Sequence, residues 1–490
     1  MRRHLASLLL ALLPFVLPAQ NDNDFISDFN EFRNSALKNY HSFREQIMKD
    51  YVEFVRQAWK EFKGEPAVTV PEEVPVPPVV MPDEDRLEPR KDRPFIIDEV
   101  IAPLPVTPQP RPVVEIKEIP MLTEKYVYFT FFGTNARVRL DVADKVKVNA
   151  TDENSVADAI EDMADGTHDN MLFDCLSLRK ELRLCDWAYL QMLDALAKEI
   201  HRDDENSAAL LVAYLYMQSG YKVRIGAQDD RLYLLFACEG VIYNRNTFRV
   251  GDCCYYGIEE LPARMRICEA SWEKEKELSL FVNVGQRFAF DGSEERRIAS
   301  KDYPEVNATV TVNRNLMKFY DSYPTSMLGN DVMTRWAFYA NTGLDEITKK
   351  ALYRSLQQHI AGLTELEAAN RLLNFVQTGL TYGYDNEIWG EDRVFFAEES
   401  LFYPYCDCED RSVLFSRLVR DLLGLDVALV MVPGHMLAAV NFESDVDGAH
   451  TTYKGKKFIL CEPTCTNGAP VGWADIDDGA TLQMILLENN

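Results

Sequence analysis

The sequence predicts an α+β protein, and three observations carry that prediction. Apolar strand patterns such as "YVYFTFF" and "RLYLLFA" are interspersed with helical runs such as "DWAYLQMLDALAKEIH" and "SAALLVAYLYMQSG" over 121–260. Alternating runs, "ELSLFVNVGQRFAF" and "NATVTVNR", follow over 261–344 and read as a β-rich domain built on an antiparallel sheet. From 345 to 490 the pattern returns to helix first and strands afterwards, starting with "ELEAANRLLNFVQTGLTYGYD". With 490 residues and a hydrophobic fraction of 47 %, the chain can fill several cores.

The elements before residue 121 have a different character. In "MRRHLASLLLALLPFVLPAQ", Arg2 and Arg3 precede an apolar run from Leu5 to Leu17, and the small Ala19 precedes a polar stretch. This predicts a secretory signal peptide over 1–20, and so export to the periplasm, the cell surface or the medium. The run is short for a bilayer, and no later stretch reaches the roughly 20 apolar residues of a membrane helix, so no transmembrane span is expected. Three consecutive eleven-residue units, "DFNEFRNSALK", "NYHSFREQIMK" and "DYVEFVRQAWK", then set Phe29, Tyr40, Tyr51 and Phe62 on one row. A period of about 3.67 residues per turn predicts one long amphipathic helix over 21–63, whose aromatic stripe suits docking on this chain or self-association. Fourteen of the 23 prolines fall within 66–120, so 64–120 reads as an extended Pro-rich linker. Whether it holds the helix away from the body or wraps over it is open at this level.

Net charge narrows the partners. A formal charge of −26 opposes binding to a phosphate backbone, so no nucleic acid is expected. The expected partner is a peptide, a protein or a cell-wall amide.

The chemistry concentrates in "FYPYCDCEDRSVLF", residues 402–415. Leu414, Leu418 and Leu422 repeat at helical spacing and Gly424 supplies a stop, which predicts a helix over about 408–423. Cys408 then stands at a helix N-terminus, where free N–H groups and the macrodipole favour a thiolate and can hold an oxyanion. Cys406 lies outside the helix. A nucleophilic thiol needs a base, and of the two histidines downstream, His435 follows the turn "PG" and opens the strand "HMLAAVNF", whereas His450 falls in a loop. Pairing that strand with "KKFILCEPT" so that His435 faces Glu462, and Phe442 faces Gly455, leaves 443–454 as the loop and lets Glu462 orient the imidazole. Tyr403 and Tyr405 are weaker candidates for a second oxyanion donor. No metal or cofactor follows: the C-x-C spacing of Cys406 and Cys408 lacks a second close Cys/His pair. Among loop acids, Asp445 and Asp447 would be the ones to invite calcium. Glu409 and Asp410 read as favourable first-turn charges rather than catalytic groups. Of the ten cysteines, Cys253 with Cys254 and Cys461 with Cys465 read as structural.

"DCEDRSVLF" opening a helix, "PGH" opening a strand and "CEPT" closing another resemble the transglutaminase-like superfamily of papain-type cysteine enzymes over roughly 345–480. The resemblance implies Cys408 as nucleophile, His435 as base and Glu462 as orienting acid, the family usually placing Asp in a "DPT" context there. It also implies an exported cysteine peptidase or amidase acting through an acyl-enzyme. A protein cross-linking transglutaminase and a non-catalytic envelope scaffold are the alternatives. Finally, residues 203–226 can be laid beside 407–430 by matching Gly220 to Gly424, which sets Asp204 at the place of Cys408 and Arg231 near that of His435. Residues 121–260 are therefore expected to be a diverged, inactive copy of the 345–490 domain.

Overall fold

The computed structural model describes residues 45–71, 77–83, 91–103, 108–113, 116, 118, 124–164, 166, 168–282, 285–329, 331–477 and 479–488. The expected signal peptide and most of the expected aromatic helix lie outside the described residues. Residues 45–57 are helical, and 52–490 form one compact unit.

The protein is α+β, organised around a six-stranded and a seven-stranded sheet. In the first half, helix Glu205–Gln218 is followed by strands Val223–Gln228 and Arg231–Ala237, paired antiparallel across a two-residue turn. In the second, helix Cys408–Leu423 is followed by Asp426–Val432 and His435–Asn441, paired in the same way. The correspondence continues outward. Strand Arg231–Ala237 is joined by Cys253–Tyr256, itself hairpinned to Phe248–Val250. Likewise His435–Asn441 is joined by Lys456–Cys461, hairpinned to Ala449–Tyr453. On the other flank, Arg264–Cys268 pairs with Val223–Gln228 and Thr481–Leu486 with Asp426–Val432. Each sheet is completed by a strand from the N-terminal region, Trp59–Lys63 in the first and Ile96–Ile101 in the second. The two halves thus share one order over six strands; they depart in the direction of that N-terminal strand, antiparallel in the first and parallel in the second, and in the seventh strand, Arg93–Pro94, that the second sheet adds at its other edge.

Each helix lies on its own hairpin because one side of the strands is apolar and needs cover. The opposite side of the second sheet is also buried, by Val430, Val432, Leu437, Ala439, Leu460, Leu482 and Met484 gathered with Phe95 into one cluster. That inward packing is possible because the sheet closes. Arg93–Pro94 pairs with Ala449–Tyr453 at one edge, and Ile96–Ile101, one residue further on, pairs with Thr481–Leu486 at the other. Between them the Phe95 N–H donates to the His450 carbonyl at 2.8 Å, and the Thr451 hydroxyl donates to the Phe95 carbonyl at 3.0 Å. A single segment therefore satisfies two sheet edges that would otherwise expose unpaired backbone groups.

Several expectations are corrected. The helix expected to run to 63 ends near 57, and Trp59–Lys63 is a strand because Phe62 packs into the cluster of Leu235, Phe248 and Ile267. The segment 64–120 is more than a linker. It leaves the first half through Gly64 and Glu65, supplies Arg93–Ile101 to the second, and returns where Val113 N–H donates to the Gln218 carbonyl at 3.0 Å. Gly220 (φ +96°) is required at that return, since a Cβ there would come within 2.0 Å of the Arg111 carbonyl oxygen. Residues 261–344 are not a separate β-rich domain. Arg264–Cys268 belongs to the first sheet, Arg296–Ala299 and Asn307–Val310 form a lone hairpin, and Arg314–Asp321 and Thr334–Asn341 are helices. The alternation over 277–290 misleads because consecutive Leu280, Phe281 and Val282 are all buried, so these three are covered on both faces and belong to neither sheet.

Replacing Phe95 with Ala should lower unfolding stability in urea by roughly 3 kcal/mol, the usual cost of emptying a buried aromatic site. A change below about 0.5 kcal/mol, the size of a surface substitution, would show that 93–101 does not hold the second sheet closed.

Candidate active site

The start of helix Cys408–Leu423 is fixed from three directions. Asp410 accepts the Phe395 N–H at 2.8 Å and the Asp407 N–H at 3.3 Å. The Arg411 guanidinium donates to the carbonyls of Gln377 and Leu380, both at 3.0 Å, tying the helix to Glu365–Gly379. The Ser412 hydroxyl donates to the Met436 carbonyl at 3.2 Å, tying it to the strand that His435 opens. Cys408 occupies the first helical turn, as expected, and is 9 % exposed. Its sulfur lies against the Met436 backbone N–H, next along the chain from His435.

His435 follows the Pro433–Gly434 turn, in which Gly434 takes φ +75°, and stands opposite Val432. The partner strand is in a different register from the one expected: Ala438 opposes Cys461 and Val440 opposes Ile459. Relative to pairing His435 with Glu462 this is a slip of two residues, which preserves the face because side chains alternate with period two. His435 Nε2 accordingly meets Glu462 Oε2 at 2.9 Å along the diagonal. The segment expected as a loop, 443–454, contains the strand Ala449–Tyr453. His450 sits in that strand, its Nδ1 engaged by the Gly448 carbonyl at 3.0 Å and by Asp92 at 3.2 Å. Glu462 is fully buried; its other oxygen accepts the Thr464 hydroxyl at 2.5 Å and N–H at 3.2 Å. The buried Gln377 side chain donates to the Glu462 carbonyl at 2.8 Å and to that of Ala469 at 3.0 Å, bracing the turn after the acid.

With Nε2 spent on Glu462, Nδ1 is the nitrogen left to face a thiol, and it is buried without a hydrogen-bond partner. The thiol proton, however, goes to Glu409 Oε2 at 3.0 Å. This corrects the expectation of a thiol hydrogen-bonded to the imidazole, and of Glu409 as a mere first-turn charge. Burial, followed by the carboxylates of Glu409 and Asp407, holds the Cys408 thiol well above its ordinary pKa, outweighing the helix N-terminus. For His435, burial acts downward, but Glu462, with Glu409 and Asp475 adding, raises it above 6.5 overall. Tyr403 is turned away, its hydroxyl donating to Asp321 at 3.0 Å, and Tyr405 is 43 % exposed in a short strand beside Thr381–Tyr382. A tyrosine close enough to feel the thiol is Tyr382, pushed up by burial and then by the charges of Cys408, Asp407 and Glu409. None of the ten cysteines, all of them described residues, is in a disulfide.

The shared strand order locates the counterparts of these residues in the first half. Glu205 is the first residue of its helix, as Cys408 is; Asp204 is the cap before it, one place off the position assigned from sequence. Arg231 opens the second hairpin strand after a two-residue turn, as His435 does. Tyr256 opposes Phe236 as Ile459 opposes Val440, and three residues further on come Glu259 and Glu462. The three counterparts touch: Arg231 pairs with Glu205 at 3.1 Å and with Glu259 at 2.5 Å. A guanidinium between two carboxylates occupies the place of a thiol, an imidazole and a carboxylate. It has neither a thiol nor an imidazole.

The chain matches no protein-family model, and no curated protein or solved structure matches it.

Near neutral pH a thiol-directed alkylator should label the half-buried Cys254 before Cys408. Glu409→Gln should accelerate labelling of Cys408, read by mass mapping at short times; an unchanged rate would remove Glu409 as the group holding the proton. The raised His435 value also fixes a sign. Its ion pair with Glu462 stabilises the fold fully below 6.5, and the contribution is lost as pH rises through the higher folded value. The stability gap between wild type and Glu462→Gln should therefore be larger at pH 6 than at pH 9 in urea titrations. Arg231→Ala breaks pairs whose side chains are at least 41 % exposed, and should cost no more than about 1 kcal/mol.

Proposed function

We propose that this chain is an exported transglutaminase-like, papain-type cysteine enzyme that hydrolyses amide bonds, with Cys408 as nucleophile, His435 as base and Glu462 as the group that orients it. The observation that carries the reading is the buried His435–Glu462 contact at 2.9 Å, made by a histidine one residue from the N–H that meets the Cys408 sulfur. In the reaction, His435 Nδ1 takes the thiol proton and the sulfur attacks the amide carbonyl. The oxyanion forms beside the Cys408 N–H at the helix start, with Tyr382 as the candidate second donor. The imidazolium gives its proton to the leaving amine, and water then opens the thioester by the reverse sequence. Glu462 keeps Nε2–H directed and stabilises the cation formed in each step. Before any of this, the thiol must leave Glu409.

That last requirement favours a second reading. A thiol that is 9 % exposed and bonded to a carboxylate also suits a non-catalytic envelope scaffold. Incubating full-length protein with a pool of peptide amides and a labelled primary amine separates the possibilities. Hydrolysis exceeding amine incorporation, abolished in Cys408→Ala and lowered roughly a hundredfold or more in Glu462→Gln, is the expected result. Amine incorporation as the main product would make the enzyme a cross-linker. Turnover surviving in Cys408→Ala would overturn the nucleophile.

A further inference from the structure

A second group of reactive side chains lies in the first half. The Lys222 ammonium donates to the Cys253 sulfur at 3.1 Å and to Glu277 Oε1 at 3.0 Å, and the Cys253 thiol donates to that same oxygen at 3.1 Å. Thiol, amine and carboxylate are therefore in mutual contact. Three separate pieces of chain hold them there, each tied to Ala237. Lys222 stands just before strand Val223–Gln228, and its carbonyl accepts the Ala237 N–H at 3.0 Å. Cys253 opens the strand Cys253–Tyr256, in which Tyr255 opposes Ala237 from the other side. Glu277 is fixed through its neighbour Leu278, whose N–H donates to the Ala237 carbonyl at 2.8 Å.

The Lys222–Glu277 ion pair would be complete without a thiol, so the sulfur between them calls for its own account. The cluster is open to small molecules: Cys253 is half-buried, and the Lys222 and Glu277 side chains are 19 % and 30 % exposed. Burial holds the thiol above its ordinary pKa, with Lys222 acting against that and Glu277 with it. What distinguishes the site is thus the amine held against the sulfur, a reacting pair already brought together.

We propose that Lys222 and Cys253 form an oxidative cross-linking site, in which a peroxide converts the pair to a sulfenamide, a covalent S–N bond between the two side chains. In the first step the sulfur passes its proton to Glu277 and attacks hydrogen peroxide. The O–O bond breaks, sulfur is oxidised to the sulfenic acid, and the other oxygen leaves as water with the proton from Glu277. In the second, Nζ gives one ammonium proton to Glu277 and attacks the sulfur. The S–O bond breaks as the S–N bond forms, the hydroxide leaves as water with that proton, and the nitrogen loses a further proton to solvent. Thiol, ammonium and one hydrogen peroxide thus give sulfenamide, two waters and a proton. Two equivalents of a small thiol reverse the bond, restoring both side chains and ending as a disulfide. The cross-link spans residues 31 apart in sequence and joins the two strands that flank Arg231–Ala237, so it removes freedom from the unfolded chain as a disulfide does. It stands whether or not Cys408 is a nucleophile.

The test treats full-length protein with hydrogen peroxide, digests it with trypsin and maps the peptides by mass. The expected product is a peptide pair joined through Lys222 and Cys253, lighter than the sum of its parts by two hydrogens, uncut after Lys222 and separated by dithiothreitol. The joined protein should melt a few degrees above the reduced one. Lys222→Arg keeps a cation opposite Glu277 but removes the nucleophilic amine. It should abolish the joined pair and raise severalfold the labelling of Cys253 by a dione that traps sulfenic acids. Cys254, next along the strand, points to the other face and should oxidise equally in both proteins. Circular dichroism checks that the variant is folded, and the wild-type mass map alone decides should it not fold. Cys253 left unmodified, carried on to sulfinic acid with Lys222 still cleaved, or joined to Cys254 would each overturn the site. So would a joined pair that survives in Lys222→Arg. A pair heavier by one oxygen would overturn the S–N bond while keeping the two residues.

Discussion

The hydrogen-bond register between His435–Asn441 and its neighbours decides where each candidate functional side chain points. The Pro433–Gly434 turn sets the strand against Asp426–Val432, and pairing of Ala438 with Cys461 sets it against Lys456–Cys461. From those two constraints follow the facing of His435 and Glu462, the approach of the Met436 N–H to the Cys408 sulfur, and the seat of the helix through Ser412. A slip of one residue in either pairing would turn the imidazole to the opposite face and leave Glu462 buried without its partner. The inward cluster around Phe95 makes such a slip costly, because Leu437 and Ala439 would leave it at the same time.

The same register in the first half carries different chemistry. Glu205, Arg231 and Glu259 stand at the places of Cys408, His435 and Glu462 and still touch in the same order. The geometry that brings a helix start, a strand start and a strand end together is therefore a property of the sheet, independent of which side chains occupy it. In the second half this geometry gathers groups suited to proton transfer. In the first it yields an ion-pair chain at the rim. The acid is common to both, with its charge directed at a cation in one case and at an imidazole in the other.

Much of this was legible in the sequence, and the failures have physical causes. Helix Cys408–Leu423, the strand that His435 opens and the Gly220–Gly424 correspondence follow from local spacing and turn chemistry, which depend on few neighbours. The His435–Glu462 contact was reached through a register two residues off, and survived because parity alone determines facing. What sequence could not supply was long-range. Nothing local in "KDRPFIIDEV" tells that it closes a sheet formed more than three hundred residues later, since prolines mask its strand character. Nor does spacing reveal that Asp385 and Asp392 fold over Glu409, or that this carboxylate takes the thiol proton. The acids crowded into "DCED" and "YGYDNEIWGED" are the available signal, but at the level of spacing Glu409 and Asp410 read only as favourable first-turn charges.

The passage of residues 59–113 through both halves has a consequence for how such a protein could arise and be taken apart. A tandem duplication normally yields modules that can be shuffled, each complete in itself. Here each sheet is finished by a strand contributed from one shared leader, first Trp59–Lys63 and then Ile96–Ile101. A gene fragment beginning at residue 345 would encode the helix and five strands of the second sheet while lacking the segment that joins its edges. Either half separated from residues 59–113 would present open, adhesive sheet edges, so the two halves and the segment that finishes both sheets can be passed on only together.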